Sequence, residues 1–185
     1  ATGCSKGMGG SMHLLAKEKG FYGSVPIVGA TIPIAVGAGL SAKISGTDSI
    51  GVCFFGDGSV EEGVFHESLN LASAHSIPIL FVCENNLYSS HLDIMYRQSS
   101  DVICRFAKAH NIDYELVDGN DVIEVKSKSY KLIKKARKEQ KPIFLEAITY
   151  RSYGHVGPDK NIDVGVRRTQ KDIASWIKRD PIKRL

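Results

Sequence analysis

The sequence predicts an α/β protein in which a parallel sheet carries helices on both faces, and three observations point there. Strand-like runs at residues 50–55, 77–84, 114–117 and 142–149 alternate with helix-like stretches at about 30–44, 60–75, 99–110 and 121–139. Such alternation builds a parallel sheet covered by helices. The strand runs are continuously apolar, as in Ile77-Pro78-Ile79-Leu80-Phe81-Val82-Cys83, the pattern of strands buried on both faces. Finally, Asp57 and Asn86 each follow a strand run, and ligands of open parallel sheets gather beyond the carboxyl ends of the strands.

Each element has its own warrant. Residues 1–26 are rich in glycine and stand outside the regular pattern, while 29–39 read as a small-residue helix made for close packing. The helix at 121–139 has Asn120 or Asp121 as its cap and ends in a lysine-rich turn before Pro142, which stops it. Along it Val122, Val125, Ile133 and Ala136 recur at helical spacing, opposite Lys126, Lys128, Lys131, Lys134, Lys135, Arg137 and Lys138. That is a solvated basic face, with docking to an acidic partner as the alternative. No groove-reading motif or interleaved aromatic residue supports nucleic-acid binding. Residues 152–168 contain Gly154, Gly157, Pro158 and Gly165 and read as a mobile loop, followed by a helical tail over 169–185.

With 185 residues and 43% hydrophobic composition, one domain over 1–185 is expected. No apolar run approaches the roughly 20 residues of a membrane span, and the opening residues lack the pattern of a secretory leader. Cys4, Cys53, Cys83 and Cys104 show no Cys-x-x-Cys spacing, so neither a zinc site nor a disulfide framework follows. A soluble protein of a reducing cytoplasm is the expectation.

The chemistry concentrates at Gly56-Asp57-Gly58-Ser59 and Glu84-Asn85-Asn86-Leu87-Tyr88. A Gly-Asp-Gly alone is an ordinary turn. Paired with a carboxamide at the end of the next strand, it becomes a site for a hard cation such as magnesium, which takes oxygen ligands from one or two side chains and fills its shell with phosphate oxygens and water. The flanking Gly56 and Gly58 allow a sharp turn and close approach of backbone amides to a diphosphate.

With these residues in view, the chain resembles the alpha subunit of the thiamine-diphosphate-dependent decarboxylating component of 2-oxo acid dehydrogenases, on the pyruvate and acetoin branches. The resemblance is carried by Gly9-Gly10-Ser11-Met12-His13-Leu14, Phe21-Tyr22-Gly23, Ile27-Val28-Gly29-Ala30, Phe55-Gly56-Asp57-Gly58, Glu62-Gly63-Val64-Phe65-His66-Glu67, Cys83-Glu84-Asn85-Asn86, Val117-Asp118-Gly119-Asn120-Asp121, Tyr150-Arg151 and Asp180-Pro181-Ile182, which run in the family's order. It implies the thiamine diphosphate-binding fold. It also implies that Asp57 and Asn86 bind magnesium through their side chains and Tyr88 through its carbonyl. Tyr88 read without the resemblance is equally a packed aromatic residue.

The resemblance assigns further roles. Gly58 and Ser59 offer amides to the diphosphate at the start of the following helix. The Val28 backbone meets the aminopyrimidine ring, and Pro26 stands where glycine is usual, so only a contact through its carbonyl survives. His155 lies near the diphosphate and the reacting carbons, where it stabilises charge on the substrate-derived adduct, and Arg151 orders that loop. Tyr153 replaces the first histidine of the family's His-Gly-His, and Val156 replaces a serine that mammalian pyruvate dehydrogenases phosphorylate. His13 is a second catalytic candidate, set against the plain reading of a structural histidine.

No acidic residue here matches the glutamate that protonates the pyrimidine ring. In the family it comes from the beta subunit, so this chain implies half a site in an α2β2 assembly. The implied reaction decarboxylates or cleaves a 2-oxo acid or acetoin and passes the acyl group to a lipoyl-bearing acyltransferase component. Alpha subunits of the family have a long segment ahead of Gly-Gly-Ser-Met-His, so the chain reads as lacking its N-terminal part. Two alternatives stay open: a split transketolase-like or acyloin-forming thiamine enzyme, and a non-catalytic binding module with the same fold.

Overall fold

The computed structural model describes residues 2–10, 12–156 and 168–185. Four strands, β1 (Gly51–Gly56), β2 (Ile79–Asn85), β5 (Asp113–Asp118) and β6 (Ile143–Ile148), form one parallel sheet in the order β1-β2-β6-β5. A two-stranded antiparallel hairpin, β3 (Tyr88–Ser89) and β4 (Leu92–Asp93), follows the end of β2. The helices are α1 (Thr31–Ile44), α2 (Gly63–Ala74), α3 (Ile94–Arg97), α4 (Cys104–Ala109), α5 (Val122–Glu139), α6 (Gln170–Ile177) and α7 (Pro181–Arg184). A 3-10 turn, Asp57–Glu61, joins β1 to α2.

Helices cover both faces, and the central strands divide their side chains accordingly. Ile79, Phe81 and Cys83 of β2 point into one cluster with Ile32 and Val36 of α1, Phe65 and Leu69 of α2, and Phe144. Leu80 and Val82 point the other way, to Leu132 and Ala136 of α5, Val117, Ile143 and Leu145. In the first cluster Phe55, Phe65 and Phe144 meet edge-on or tilted with ring centroids 5.5 to 6.3 Å apart, a favourable aromatic geometry. Small residues let α1 lie directly on the sheet. A Cβ on Gly51 would stand 2.4 Å from the Ala35 carbonyl oxygen, and one on Gly39 would stand 2.8 Å from that of Pro78.

The structure corrects several sequence expectations. Double-sided burial holds for β2 and most of β6, but β1 is an edge strand that alternates, with Phe54 63% exposed, and β5 is an edge strand that buries only Val117, with Leu116 47% exposed. The helix expected over 60–75 is split, since the 3-10 turn comes first and Glu62 is extended (φ −77°, ψ 134°) before α2 begins. The helix expected over 99–110 starts only at Cys104. Ahead of it, Asn85 Nδ2 donates to the Asp101 carbonyl at 2.9 Å and Arg105 to those of Ser100 and Val102, holding that stretch irregular. On α5 Val122 is exposed and Leu132 takes the core position. Asp121 is the cap, accepting from the Ile123 and Glu124 amides at 3.1 and 3.0 Å.

All four cysteines are free, and Cys53, Cys83 and Cys104 are buried. Burial pushes the Cys53 thiol up to about 12. Among the described residues, no helix is long and apolar enough to cross a membrane.

Candidate functional site

Parallel pairing sets the site. Gly56 of β1 is in register with Glu84 of β2, so Asp57 emerges beside the Asn85-Asn86 turn at the carboxyl edge of the sheet. Asn85 and Asn86 make successive turns, with Asn85 Oδ1 accepting from the Leu87 amide and Asn86 Oδ1 from the Tyr88 amide, both at 3.1 Å. Leu87 adopts a left-handed φ of 69° between them, an unfavourable conformation for leucine that this double turn holds in place.

The two asparagines have different surroundings. Asn85 is fully buried, and its Nδ2 donates to Glu146 Oε1 at 2.7 Å as well as to Asp101. It knits β2 to β6. Asn86 is only partly buried, with its side-chain oxygen accepting from the Tyr88 amide at the turn. The backbone amides of Asp57 and Asn86 both act on the Asp57 carboxylate.

Asp57 is 1% exposed. Burial pushes its carboxyl above the ordinary carboxylate range, and the Arg97 guanidinium, donating to Oδ2 from the end of α3, opposes that rise. Arg97 bridges to Glu61 through its other terminal nitrogen, and its Nε donates to the Leu92 carbonyl at 3.1 Å. Gln98 Nε2 reaches Glu61 Oε1 at 2.8 Å.

Gly58 lies where the 3-10 turn touches the hairpin. A Cβ there would stand 2.4 Å from Ser89 Oγ, so glycine is needed for this approach. Gly58 and Ser59 belong to that short turn rather than to the start of α2, which corrects the expected helix-terminal placement. Their amides lie in the first turn of the 3-10 helix, where no acceptor inside the helix is available.

The hairpin also receives the segment after β6. Arg151 Nη2 donates to the Ser90 carbonyl at 2.6 Å, and its Nη1 meets His155 Nδ1 at 3.0 Å. Because guanidinium is only a donor, Nδ1 accepts and Nε2 carries the ring proton. His155 is exposed, with its ring 6.1 Å from that of His91. Arg168 donates to the Arg151 carbonyl and stands 5.0 Å from the Tyr150 ring, which stacks on Trp176 at 5.3 Å. The loop expected over 152–168 lies mostly outside the described residues.

Asp57, Asn86 and Tyr88 are therefore brought together, and Arg151 and His155 join them through the hairpin. Val28 and Pro26 are exposed, and the next residue, Gly29, lies near the junction after the 3-10 turn, since a Cβ placed on it would stand 3.4 to 3.5 Å from the Val64 and Glu62 side chains. His13 is exposed, and no hydrogen bond, ion pair or ring contact among the described residues joins it to Asp57, Asn86 or His155. Arg97, Glu61 and His91 were not legible beforehand. They sit in short or irregular segments where no periodicity marks them, and only folding makes them neighbours of the site.

Comparison with known proteins places the chain in a family. The profile of the dehydrogenase E1 component family matches residues 1–185. The alpha subunit of acetoin:2,6-dichlorophenolindophenol oxidoreductase of Bacillus subtilis is 42% identical over 86% of this chain and 48% of its own length. The pyruvate dehydrogenase E1 component subunit alpha of Porphyra purpurea is 36% identical over 100% of this chain and 54% of its own. The chain thus spans about half the length of the curated relatives it matches. Among solved structures, a transketolase from Campylobacter jejuni superposes with a TM-score of 0.55 at 23% identity, covering 68% of this chain and 20% of that one. A putative thiamin diphosphate-dependent enzyme from Mycobacterium smegmatis gives 0.55 at 23%, covering 71% and 24%. These two likenesses concern the fold alone.

Proposed function

This chain belongs to the dehydrogenase E1 component family, and from that premise we propose that it carries the magnesium- and thiamine-diphosphate-binding residues of the alpha subunit of a pyruvate-like 2-oxo acid or acetoin dehydrogenase. The observation that carries this reading is the buried Asp57 carboxylate at the end of β1, set beside the Asn86-Leu87-Tyr88 turn at the end of β2.

The donor set fits the metal. A carboxylate at 1% exposure needs a compensating cation, a place the Arg97 guanidinium takes in this structure, and a carboxamide and a backbone carbonyl beside it are the hard oxygen donors that magnesium takes. Asp57 and Asn86 would hold the ion through their side chains and Tyr88 through its carbonyl, with Gly58 and Ser59 turning amides to the diphosphate. Thiamine diphosphate, when bound, supplies a carbon nucleophile and an electron sink for the bond that breaks.

The chain's own residues then position and protonate. Arg151 holds the His155 ring by its Nδ1, so that Nε2–H remains to donate to charge developing on the substrate oxygen. Arg151 is itself braced by the Ser90 carbonyl, which sets the distance between this histidine and the metal-binding turn. Val28 would meet the pyrimidine ring through its backbone, and Pro26 through its carbonyl alone. Among the described residues no contact joins His13 to Asp57, Asn86 or His155, whereas the His155 ring is held by Arg151, so His155 is the stronger acid-base candidate.

The partners follow from the same reading: a beta subunit that supplies the missing glutamate, in an α2β2 assembly, and a lipoyl-bearing acyltransferase component as acceptor. A product assay of the assembled enzyme, with and without a lipoyl domain, tests this. Acyl transfer to the lipoyl group from pyruvate, a related 2-oxo acid or acetoin is expected. Ketol transfer between sugars, or acyloin release with no use of the lipoyl group, would instead support the transketolase-like or acyloin-forming alternative. No thiamine-dependent turnover with a competent beta subunit would leave a binding module.

A further inference from the structure

Arg97 stands at this site, has no part in the proposed chemistry, and is tightly built in. Its side chain is 7% exposed. One terminal nitrogen meets Asp57 Oδ2, the other meets Glu61 Oε1, and Nε is anchored on the Leu92 carbonyl. The two carboxylates differ in setting, for Asp57 is 1% exposed and Glu61 36%. Gln98 is placed to help Glu61: it donates to Glu61 Oε1 at 2.8 Å and to the Asp57 carbonyl at 3.3 Å, while its own oxygen is held by Arg105 at 2.9 Å.

We propose that Arg97 is a resident counter-ion competing with the divalent metal for Asp57, and that Glu61 is the partner onto which the guanidinium withdraws when the metal enters. The inference rests on the reading of Asp57 as a metal ligand. Arg97 holds Oδ2, and a divalent cation arriving on the same buried carboxylate would stand close to the guanidinium and repel it, because low dielectric screens the two cations poorly. Removing Arg97 and adding nothing leaves a buried charge unpaired, which is costly. An exchange solves both problems. The Nε anchor on Leu92 keeps the stem in place, and Glu61, partly in water and already bonded by Gln98, holds the charge at little desolvation cost. Metal affinity is therefore set in part by the energy of breaking the Arg97 to Asp57 pair, through residues that never touch the metal.

Manganese(II) titrated into the assembled, metal-free enzyme, with the free ion read by its paramagnetic resonance, measures this without any turnover. Arg97→Gln is expected to tighten manganese binding by about tenfold or more, since it removes the competitor. Glu61→Gln is expected to weaken it, since the guanidinium then has no second carboxylate to move to. Opposite signs for two residues of one ion pair are not what a merely structural bridge gives. Thermal melting should show Arg97→Gln less stable without metal and restored by manganese. If Arg97→Gln does not assemble, Glu61→Gln alone decides. Asp57→Asn separates the two readings. Loss of manganese binding in it, with Arg97→Gln unchanged or weakened, overturns the competition but keeps the metal ligand. Undiminished binding in Asp57→Asn overturns both.

Discussion

Asn85 and Glu146, both fully buried, are joined by a 2.7 Å hydrogen bond across β2 and β6, while Glu146 Oε2 accepts from the Cys104 amide at 2.7 Å. Adjacent asparagines thus do unlike work, Asn85 in the core and Asn86 at the site. Asn85→Ala should cost about 1–3 kcal/mol of stability, because it leaves Glu146 and the Asp101 carbonyl short of a donor. Asn86→Ala should leave the denaturation midpoint nearly unchanged and weaken magnesium-dependent cofactor binding. Urea denaturation and calorimetry on the two variants check the division, and equal loss of stability in both would refute it.

Asp57→Ala should abolish the magnesium dependence of thiamine diphosphate binding, since it deletes the one charged ligand and leaves the diphosphate uncompensated. Calorimetric titration of the assembled enzyme with and without magnesium reads this. An unchanged metal dependence would remove Asp57 from the site.

His155→Ala should lower turnover roughly a hundredfold, the range usual for a positioned acid-base group, with cofactor affinity falling far less than in Asp57→Ala. Arg151→Lys should lower turnover too, because an ammonium cannot hold Ser90 and the His155 ring with two separate nitrogens. Near-normal rates in His155→Ala would return it to a loop residue.

Gly58→Ala should destabilise the hairpin by about 1–3 kcal/mol, the usual penalty of overpacking, because the new methyl would meet Ser89. The double variant Gly58→Ala with Ser89→Gly should recover most of the loss. Failure of that rescue in a denaturation cycle would show that the glycine serves the backbone rather than this contact.

The tail is held at the carboxyl end of β5 by charge. Burial raises the Asp118 carboxyl, but the Arg184 guanidinium, the Asn120 amide and the Arg179 guanidinium together keep it below its ordinary value of 3.8. A depressed carboxyl adds stability above 3.8 that is lost as pH falls through the lower folded value. The attachment of α6 and α7 should therefore weaken on acidification below 3.8, and Trp176, the chain's single tryptophan, reports it by fluorescence through its stacking on Tyr150. Asp118→Asn should show the loosened signal at neutral pH and no further step in that window.

The alternation of apolar runs and helical periods was enough to place all four sheet strands and the helices α1, α2 and α5, because local propensity and burial pattern agree there. A cap at Asn120 or Asp121 and the placing of Asp57 and Asn86 at strand ends were legible for the same reason: each depends on residues near it in the chain. The 99–103 segment was not. Its helical composition loses to hydrogen bonds from Asn85 and Arg105, one of them from another strand.

The order of residues along the chain is enough for the layered α/β architecture, for the strand ends at which Asp57 and Asn86 stand, and for the motifs that carry the family resemblance. Tertiary structure alone decided the strand order, which strands are edges with one open face, which of two asparagines is core, and that Arg97 and Glu61 flank Asp57. Periodicity records how a residue relates to its neighbours within a helix or strand. The pairing of a guanidinium from α3 with a carboxylate after β1, 40 positions away, is fixed only when the sheet aligns its ends and the loops close over them.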